Sequence, residues 1–523
     1  VTTFNYPEKG SRILAEHARK MQLQRAIAAR AGAPRQRSFA GAAVNRLTTS
    51  LETWSGALNA DLDNGLAILR ARARTLCANN EFGRRFLSLV STNVIGPNGP
   101  TLQVRATMLG GALDKAANDA IEVAWKQWGM VCELTGKMTL VRLLQVGTKG
   151  VARDGEAIIR FVRNRSLPHG LGLQLLEADR LDETINGTFN GNDVRQGVER
   201  DSAGRPVAYH LLTTHPGDSY NQQQRKTERV LAKDLLHVFL PERAEQVRGY
   251  TWLHAVLMRS HMLHGFEEAA VIAARVGASK MGIWTRAEDS ADALSAVADA
   301  QDASGNLQMS AEPGDFIEAP AGYKLESWSP DYPHANFESF LKACVRGLAV
   351  GLNVASHNLS GDMTEVNYSS ARIAELAERE IWKELQEWFV AAVMLPIYRE
   401  WLASALLRGE ITFAESGKAL PADKYDKFAT AARFQARRWD WVDPLKDAQA
   451  SRELIAEGLA SRTEIAASKG REFEDIVDEL AQEKALLEAA GLDVGEKPEP
   501  IEAKPAAEPA EDDAEDEDMK EKA

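Results

Sequence analysis

Apolar positions along the chain change period several times, and each change marks an element. Leu62, Leu66, Leu69, Ala73 and Leu76 recur at steps of three and four, which predicts a helix from about residue 61. A second helix over about 80–94 should bury Phe82, Phe86, Leu87 and Val90 and stop at "IGPNGP", where two glycines and two prolines make a turn. Residues 111–152 again read as helical. The apolar runs then shorten, alternate and are bounded by Gly, Pro and Asn: "EAIIRFVRN" (156–164), "LGLQLLEADRLD" (171–182), "GRPVAYHLL" (204–212) and "DLLHVFLPE" (234–242) predict strands. "ERDSAGRPVAYH" sets a polar turn between two strand-like segments and predicts a hairpin.

Helical patterning returns in "WLHAVLMRSHMLHGFEEAAVIAARVGA" (252–278), a run of roughly 40 Å at the ordinary helical rise. A polar stretch (286–315), strand-like "DFIEAPAGYKLESWSP" (315–330) and a second helix, "NFESFLKACVRGLAVGL" (336–352), follow. The polar loop "NVASHNLSGDMTEVNYSS" (353–370) leads into a third long helix, about 369–407, with Ile373, Leu376, Ile381, Leu385, Trp388, Phe389 and Ala392 as its stripe. Pro396 should kink it. Residues 443–491 are Ala- and Glu-rich and read as helical. The fold class expected is α+β, predominantly helical.

Charge sharpens the domain picture. The 523-residue chain carries −13 overall, but residues 496–523 alone hold twelve acids and four lysines. That Pro/Glu/Ala/Asp-rich tail, 494–523, has too little apolar surface to fold and is expected to be disordered. The first forty residues run the other way, with eight Lys/Arg against Glu8 and Glu16, and read as a basic arm. The body between them is mildly acidic, which argues against wrapping DNA with its whole surface. Cys77, Cys132 and Cys344 are too few and too scattered for a disulfide framework or a Cys-rich zinc site, and fit a reducing compartment. No leader-like apolar region is expected at the start, and apolar runs such as "FVAAVMLPI" (389–397) look too short to span a bilayer.

Catalytic and nucleotide motifs are missing: there is no P-loop, no GxGxxG, no GxSxG elbow and no HExxH. His254, His261 and His264 fall on roughly one helical face, which suits either metal ligands or ordinary surface histidines. Glu177, Asp179 and Asp182 at a strand end suit either a Mg²⁺ site or acids paired with Arg180 and its neighbours. The segment "LRARARTLCANNEFGRRF" (69–86) packs in Arg70, Arg72, Arg74, Arg84 and Arg85. It suits a nucleic-acid grip, a solvated face, or ion pairs within or between subunits. The last is favoured, because these arginines spread over more than one face and no aromatic ladder accompanies them.

The ordered set "RARARTLCANNEFGRRFLSLVSTNVIGPNG", "DGEAIIRF", "LGLQLLEADRLD", "GVERDSAGRPVAYHLL" and "LNVASHNLSGDMTEVNYSSAR" resembles the lambda-like family of tailed-phage portal proteins, over about residues 60–490. The resemblance implies a ring, usually of twelve subunits, at one capsid vertex. Double-stranded DNA would pass through its channel without sequence specificity during packaging and ejection. It implies a portal architecture: N-terminal arm (1–40), mixed α/β wing (41–251), first stem helix (252–278), a small β-containing clip (279–335), second stem helix (336–352), tunnel loop (353–368), long wing helix and following segment (369–442), and helical crown (443–493). Channel-facing residues would be Asn353, Ser356, His357, Asn358, Ser360 and Thr364 of the loop, with Lys342 and Arg346 of the stem. Arg70, Arg72, Arg74, Arg84 and Arg85 would join subunits, and Glu318, Tyr323, Lys324 and Trp328 of the clip would face the terminase large subunit.

Expected partners are that terminase, which would bring the ATPase this chain lacks, with scaffold, major capsid and head completion proteins. No cofactor, metal, catalysis or membrane is expected, and the location would be the virion vertex, reached from host cytoplasm. The competing readings are a minor head protein without a channel and a metal-dependent nuclease using Glu177, Asp179 and Asp182.

Overall fold

The computed structural model describes residues 18–22, 56–218, 226–278, 282–286, 323–327, 337–364, 366–439, 444–469, 471 and 473–489. Contacts divide the chain into Val1–Leu62 and Asp63–Ala523, a boundary that falls inside a helix. All the described strands belong to the second unit. The expected acidic tail, most of the basic arm, and Glu318 and Trp328 lie outside the described residues.

Helix α1 (Leu58–Asn79) is followed at once by α2 (Glu81–Val90). Asn80 separates them because its side chain accepts from the Phe82 and Gly83 amides at 3.0 and 3.2 Å, capping the new helix. Helix α2 buries Phe86, Leu89 and Val90 and runs into a π turn, Ser91–Ile95, that ends at Gly96. Strand β1 (Thr101–Val104) follows. The run read as one helix over 111–152 is two: α3 (Lys115–Gly129) and α4 (Leu140–Asp154), the latter capped by Thr139. Gly155 then turns the chain at φ 95°, where a Cβ would stand 2.3 Å from the Tyr250 backbone, so only glycine fits.

The expected strands form two sheets. β2 (Glu156–Arg163) pairs with β3 (Leu171–Leu176) on one side and β9 (Leu235–Phe239) on the other. Between β3 and β9 in the chain lies a five-stranded antiparallel sheet. Its strands are β4 (Gly187–Phe189), β5 (Asn192–Arg195), β6 (Val198–Arg200), β7 (Pro206–Leu212) and β8 (Thr227–Leu231). The expected hairpin is β6–β7, its turn held by the Asp201 carboxylate, which accepts from the Ala203 and Arg205 amides.

The helix expected from residue 252 begins later, as α5 (Leu257–Ala278), because Thr251 organises a tighter turn by accepting from the Leu253 amide. β10 (Gly282–Arg286) pairs antiparallel with β11 (Tyr323–Ser327), and α6 (Phe337–Gly351) follows. Phe266 of α5 stacks on Phe337 of α6 at 5.8 Å and meets Phe340 at 5.2 Å. Gly351 lets α6 close on the turn that leads into α5, since a Cβ there would lie 2.6 Å from Val256.

The polar loop is not wholly irregular. Five of its residues form α7 (Ser356–Ser360), which ends at left-handed Gly361. Then α8 (Tyr368–Phe389), a π turn (Val390–Met394) and α9 (Leu395–Arg408) make one long helical run. In place of the kink expected at Pro396 the helix runs on through a π turn just before it, where proline lacks the N–H that would bond back. By length and composition Ser369–Arg408 is apolar enough to cross a membrane, which corrects the expectation that no segment is. Protein covers part of that run: Met394, Ile397, Tyr398, Trp401 and Leu402 are fully buried. Trp401 meets Trp125 of α3 edge-on at 5.1 Å, and Trp128 anchors β3 through its Nε1–H to the Leu171 carbonyl at 3.0 Å.

Helix α10 (Tyr425–Ala431) leads into β12 (Ala432–Gln435), which returns to pair with β1. The expected C-terminal helical region is α11 (Pro444–Ala456), α12 (Arg462–Ser468) and α13 (Phe473–Ala489).

Candidate functional site

Three regions carry the residues that the sequence singled out. The first is the underside of α1. Arg70 is 3% exposed and donates through Nη2 to Glu156 at 3.2 Å and through Nη1 to Asp179 at 3.5 Å. Arg74, one turn on, grips Asp154 with two bonds of 2.9 and 3.0 Å and also bonds Asp179. Glu156, fully buried at the start of β2, collects Arg248, His237 at 2.8 Å and the Gly249 amide at 3.1 Å as well. Burial alone would raise the Glu156 pKa; the Arg248 charge and the His237 bond outweigh it and hold the carboxyl well below its ordinary value. Asp154 and Asp179 are lowered too, against burial, by Arg153 with Arg74 and by Arg70 with Arg74 respectively.

Arg70 and Arg74 therefore hold α1 to the β2 sheet of their own chain. For Arg70 this corrects the expected role between subunits, because a buried guanidinium has no surface to offer a neighbour. Arg72, Arg84 and Arg85 are exposed. Arg72 and Arg84 make no ion pair with the described residues. Arg85 donates to the Asn358 carbonyl at 2.9 Å.

The second region is the acidic strand end. Asp182 does not join Glu177 and Asp179; it is buried and accepts from Thr184 and Thr227. His215, which no sequence signal marked, stands beside the other two, its Nε2 at 3.1 Å from Glu177 and 3.6 Å from Asp179. One ligand atom from each lies within 4.8 Å of the others. The set does not suit a metal ion. His215 Nδ1 accepts from the Gly217 amide at 3.0 Å, which leaves the proton of the neutral ring on Nε2, the atom a metal would need. Asp179 is already held by two arginines. His261 and His264 are exposed along α5, and His254 is exposed in the turn before it, where its Nδ1 bonds the Thr251 carbonyl.

The third region runs from α6 through α7 to α8. His357 is 7% exposed and faces Glu375 at 3.4 Å, so its expected place in the channel is corrected: α7 turns it inward. Asn358 is half-buried and donates to Glu375 and Glu378 at 2.8 and 2.9 Å. Asn353, Ser360 and Thr364 are exposed, and Ser356 is half-buried. Lys342 bonds Glu338 at 2.9 Å and lies 3.7 Å from Asp362, whereas Arg346 is exposed. Tyr323 and Lys324 stand in β11, paired with Arg286 and Thr285.

The sequence has relatives among known proteins. A model of the family described as "Phage portal protein, lambda family" matches residues 45–386. The probable portal protein of Halomonas phage phiHAP-1 is 32% identical over 466 residues, covering 87% of this chain and 88% of its own. Portal protein B of Escherichia phage lambda is 20% identical over 462 residues, 81% of this chain and 84% of its own. Among solved structures, the neck of a native GTA particle computed with C12 symmetry aligns at 14% identity over 80% of this chain and 95% of that one, with a TM-score of 0.40. The match to the family model over most of the sequence, and the identity to the Halomonas phage protein, establish that this chain belongs to the lambda family of phage portal proteins.

Proposed function

We propose that this portal protein assembles into a closed ring of about twelve copies at one capsid vertex, and that DNA enters and leaves through its axis. The observation that carries this reading, beyond family membership, is the α5–β10/β11–α6 excursion. A 22-residue helix, about 33 Å long, is followed by an antiparallel β pair, and a second helix packs against the first through Phe266, Phe337 and Phe340. Such a paired stalk is what a stem ending in a clip requires.

On this reading α5 and α6 are the stem, the segment between them is the clip, and residues 353–364 form the loop nearest DNA. Asn353, Ser360, Thr364 and Arg346 are its solvent-facing candidates. A loop whose lysine neighbour, Lys342, is already engaged by Glu338 suits sliding better than gripping. Arg72 and Arg84 are the candidates to meet a ring neighbour. The role is structural, without catalysis of its own. The terminase large subunit would dock on the clip, Tyr323 and Lys324 included, and scaffold, major capsid and head completion proteins would meet other faces, after assembly in host cytoplasm.

Electron-microscope class averages of the purified chain, alone and with scaffold, test this. End-on rings of about twelve copies with a central hole are expected. Monomers under both conditions would sink it in favour of a head protein without a channel.

A further inference from the structure

A concave polar cavity of about 260 Å³ opens between α2, α7, α8 and the segment after β12. Three guanidiniums converge on it: Arg85, Arg379 and Arg437. Arg379 and Arg437 both lie against the ring of Trp439, at 5.9 and 5.8 Å from its centre. Two acids also line it: Glu378, whose oxygens are taken by neutral donors, and Glu375, whose Oε1 meets Asn358 and His357 while its Oε2 faces Arg379. Glu378 accepts from Trp382 Nε1 at 2.9 Å, the Ala355 amide at 2.7 Å and Asn358 at 2.9 Å. Glu375 accepts from Asn358 at 2.8 Å and stands 3.9 Å from Arg379, beyond hydrogen-bond reach.

Among the described residues the pairing of these cations is loose, and it leaves hydrogen-bond donors over. Arg379 Nε is buried with no hydrogen bond. Arg437 bonds the Thr92 carbonyl and the Asn93 side chain, each at 2.8 Å, both through Nη1. Burial, and then the charge of Arg379, push the Arg437 guanidinium below its ordinary value. Arginine forks match tetrahedral oxyanions with paired bonds, and the space is smaller than the roughly 300–1,000 Å³ typical of organic ligands.

We propose that this cavity binds a phosphate group, free or as a phosphodiester of nucleic acid, with Arg379 and Arg437 as its ligands and Arg85 at its rim. Asn358 lines the same cavity and Arg85 bonds its carbonyl, so an occupied site would tie the loop at 353–364 to α2 and α8. The diester source rests on the portal reading above; the phosphate chemistry does not.

Calorimetric titration of the full chain with inorganic phosphate, at constant ionic strength in sodium chloride, tests this. Saturable binding is expected, weakened at least tenfold by Arg379→Gln or Arg437→Gln. A wild-type chain that takes up no phosphate, or variants that bind it as well, would overturn the proposal. Should either variant fail to fold, Arg437→Lys keeps the charge but loses the fork, and binding should persist but weaken. Acetate binding as tightly as phosphate would also overturn it. Displacement of phosphate by a short DNA duplex assigns the site to backbone phosphate; saturable phosphate binding that duplex does not displace assigns it to the free anion, and both support the site. Ring formation is read separately by microscopy, so rings that ignore phosphate remove this inference alone.

Discussion

The network beneath α1 and the loop between α6 and α8 are both rich in charge, yet they use it in opposite ways. Around Glu156 each buried acid faces a guanidinium of its own chain, and the exposed side chains among them are few. In the loop region the acids Glu375 and Glu378 bond amides, an indole and an imidazole, while Arg379 has only a loose 3.9 Å pair with Glu375 and a buried Nε without a hydrogen bond. The first arrangement fixes one geometry at the cost of desolvating its ions. The second leaves charge available to something outside the chain. Buried pairing marks a joint of the fold; charge left unpaired at a cavity marks a surface meant for a ligand or a neighbour.

Breaking the joint should have the largest effect. Glu156→Gln keeps the shape but strands Arg248 as a buried cation and leaves Arg70 only its longer pair with Asp179, and should cost about 3–5 kcal/mol in thermal or urea unfolding. A loss under about 1 kcal/mol would mean that the network does not hold α1 in place. Acid should act on the same network. Asp154, Glu156 and Asp179 all have lowered pKa values in the fold. Their stabilisation is complete above the ordinary carboxylate range, near pH 4, and is lost as pH falls toward their folded values. Each carboxylate that takes up a proton should cost about 1.4 kcal/mol per pH unit. Melting temperature followed from pH 7 to pH 3 should fall steeply below about pH 4, and the Glu156→Gln profile should be flatter. Parallel profiles would show that the acid sensitivity lies elsewhere.

The loop should answer more gently. Glu378→Gln weakens three bonds, to Ala355, Asn358 and Trp382, and should cost about 2 kcal/mol. The local readout is hydrogen exchange at the Ala355 amide, which should speed up while β2 amides do not. Asn353 sits at φ 55°, a left-handed conformation that asparagine tolerates and alanine resists. Asn353→Ala should therefore cost about 1 kcal/mol in unfolding measurements, and Asn353→Gly should cost less.

What the sequence made legible was local. The step of three and four in α1, the short apolar runs of β2 and β7, and the helical patterning around residues 257–278 and 337–351 all announce themselves through neighbouring side chains. What it hid was long-range. Leu102 of β1 faces Phe434 of β12, and each strand is only four residues long, so neither has room for a period. Helix α7 carries no apolar repeat in "SHNLS"; Glu375 and Glu378 on α8 hold it from outside. The partners of Arg70 lie 86 and 109 residues away, so the basic run showed that ion pairs were coming but not with whom. Arg437 and Trp439 escaped notice as well, although "RRWDW" sets two arginines beside a tryptophan, the one local hint of that cavity.

Helix α1 carries both uses of charge by itself. Arg70 and Arg72 are two residues apart on it, a spacing that sends them about 200° apart around the axis. Arg70 points into the Glu156 network; Arg72 is exposed and has no ion pair with the described residues. Reversing each charge separates fold from assembly. Arg70→Glu should leave little folded chain, because it sets a second acid against buried Glu156. Arg72→Glu should change unfolding stability by no more than about 0.5 kcal/mol, as surface changes do, while lowering the yield of rings in gel filtration and microscopy. If Arg72→Glu rings form as readily as wild type, the exposed arginines of this helix are a solvated face and the ring contact must be sought elsewhere. If instead Arg72→Glu unfolds the chain, the division between the buried and exposed faces of α1 is wrong.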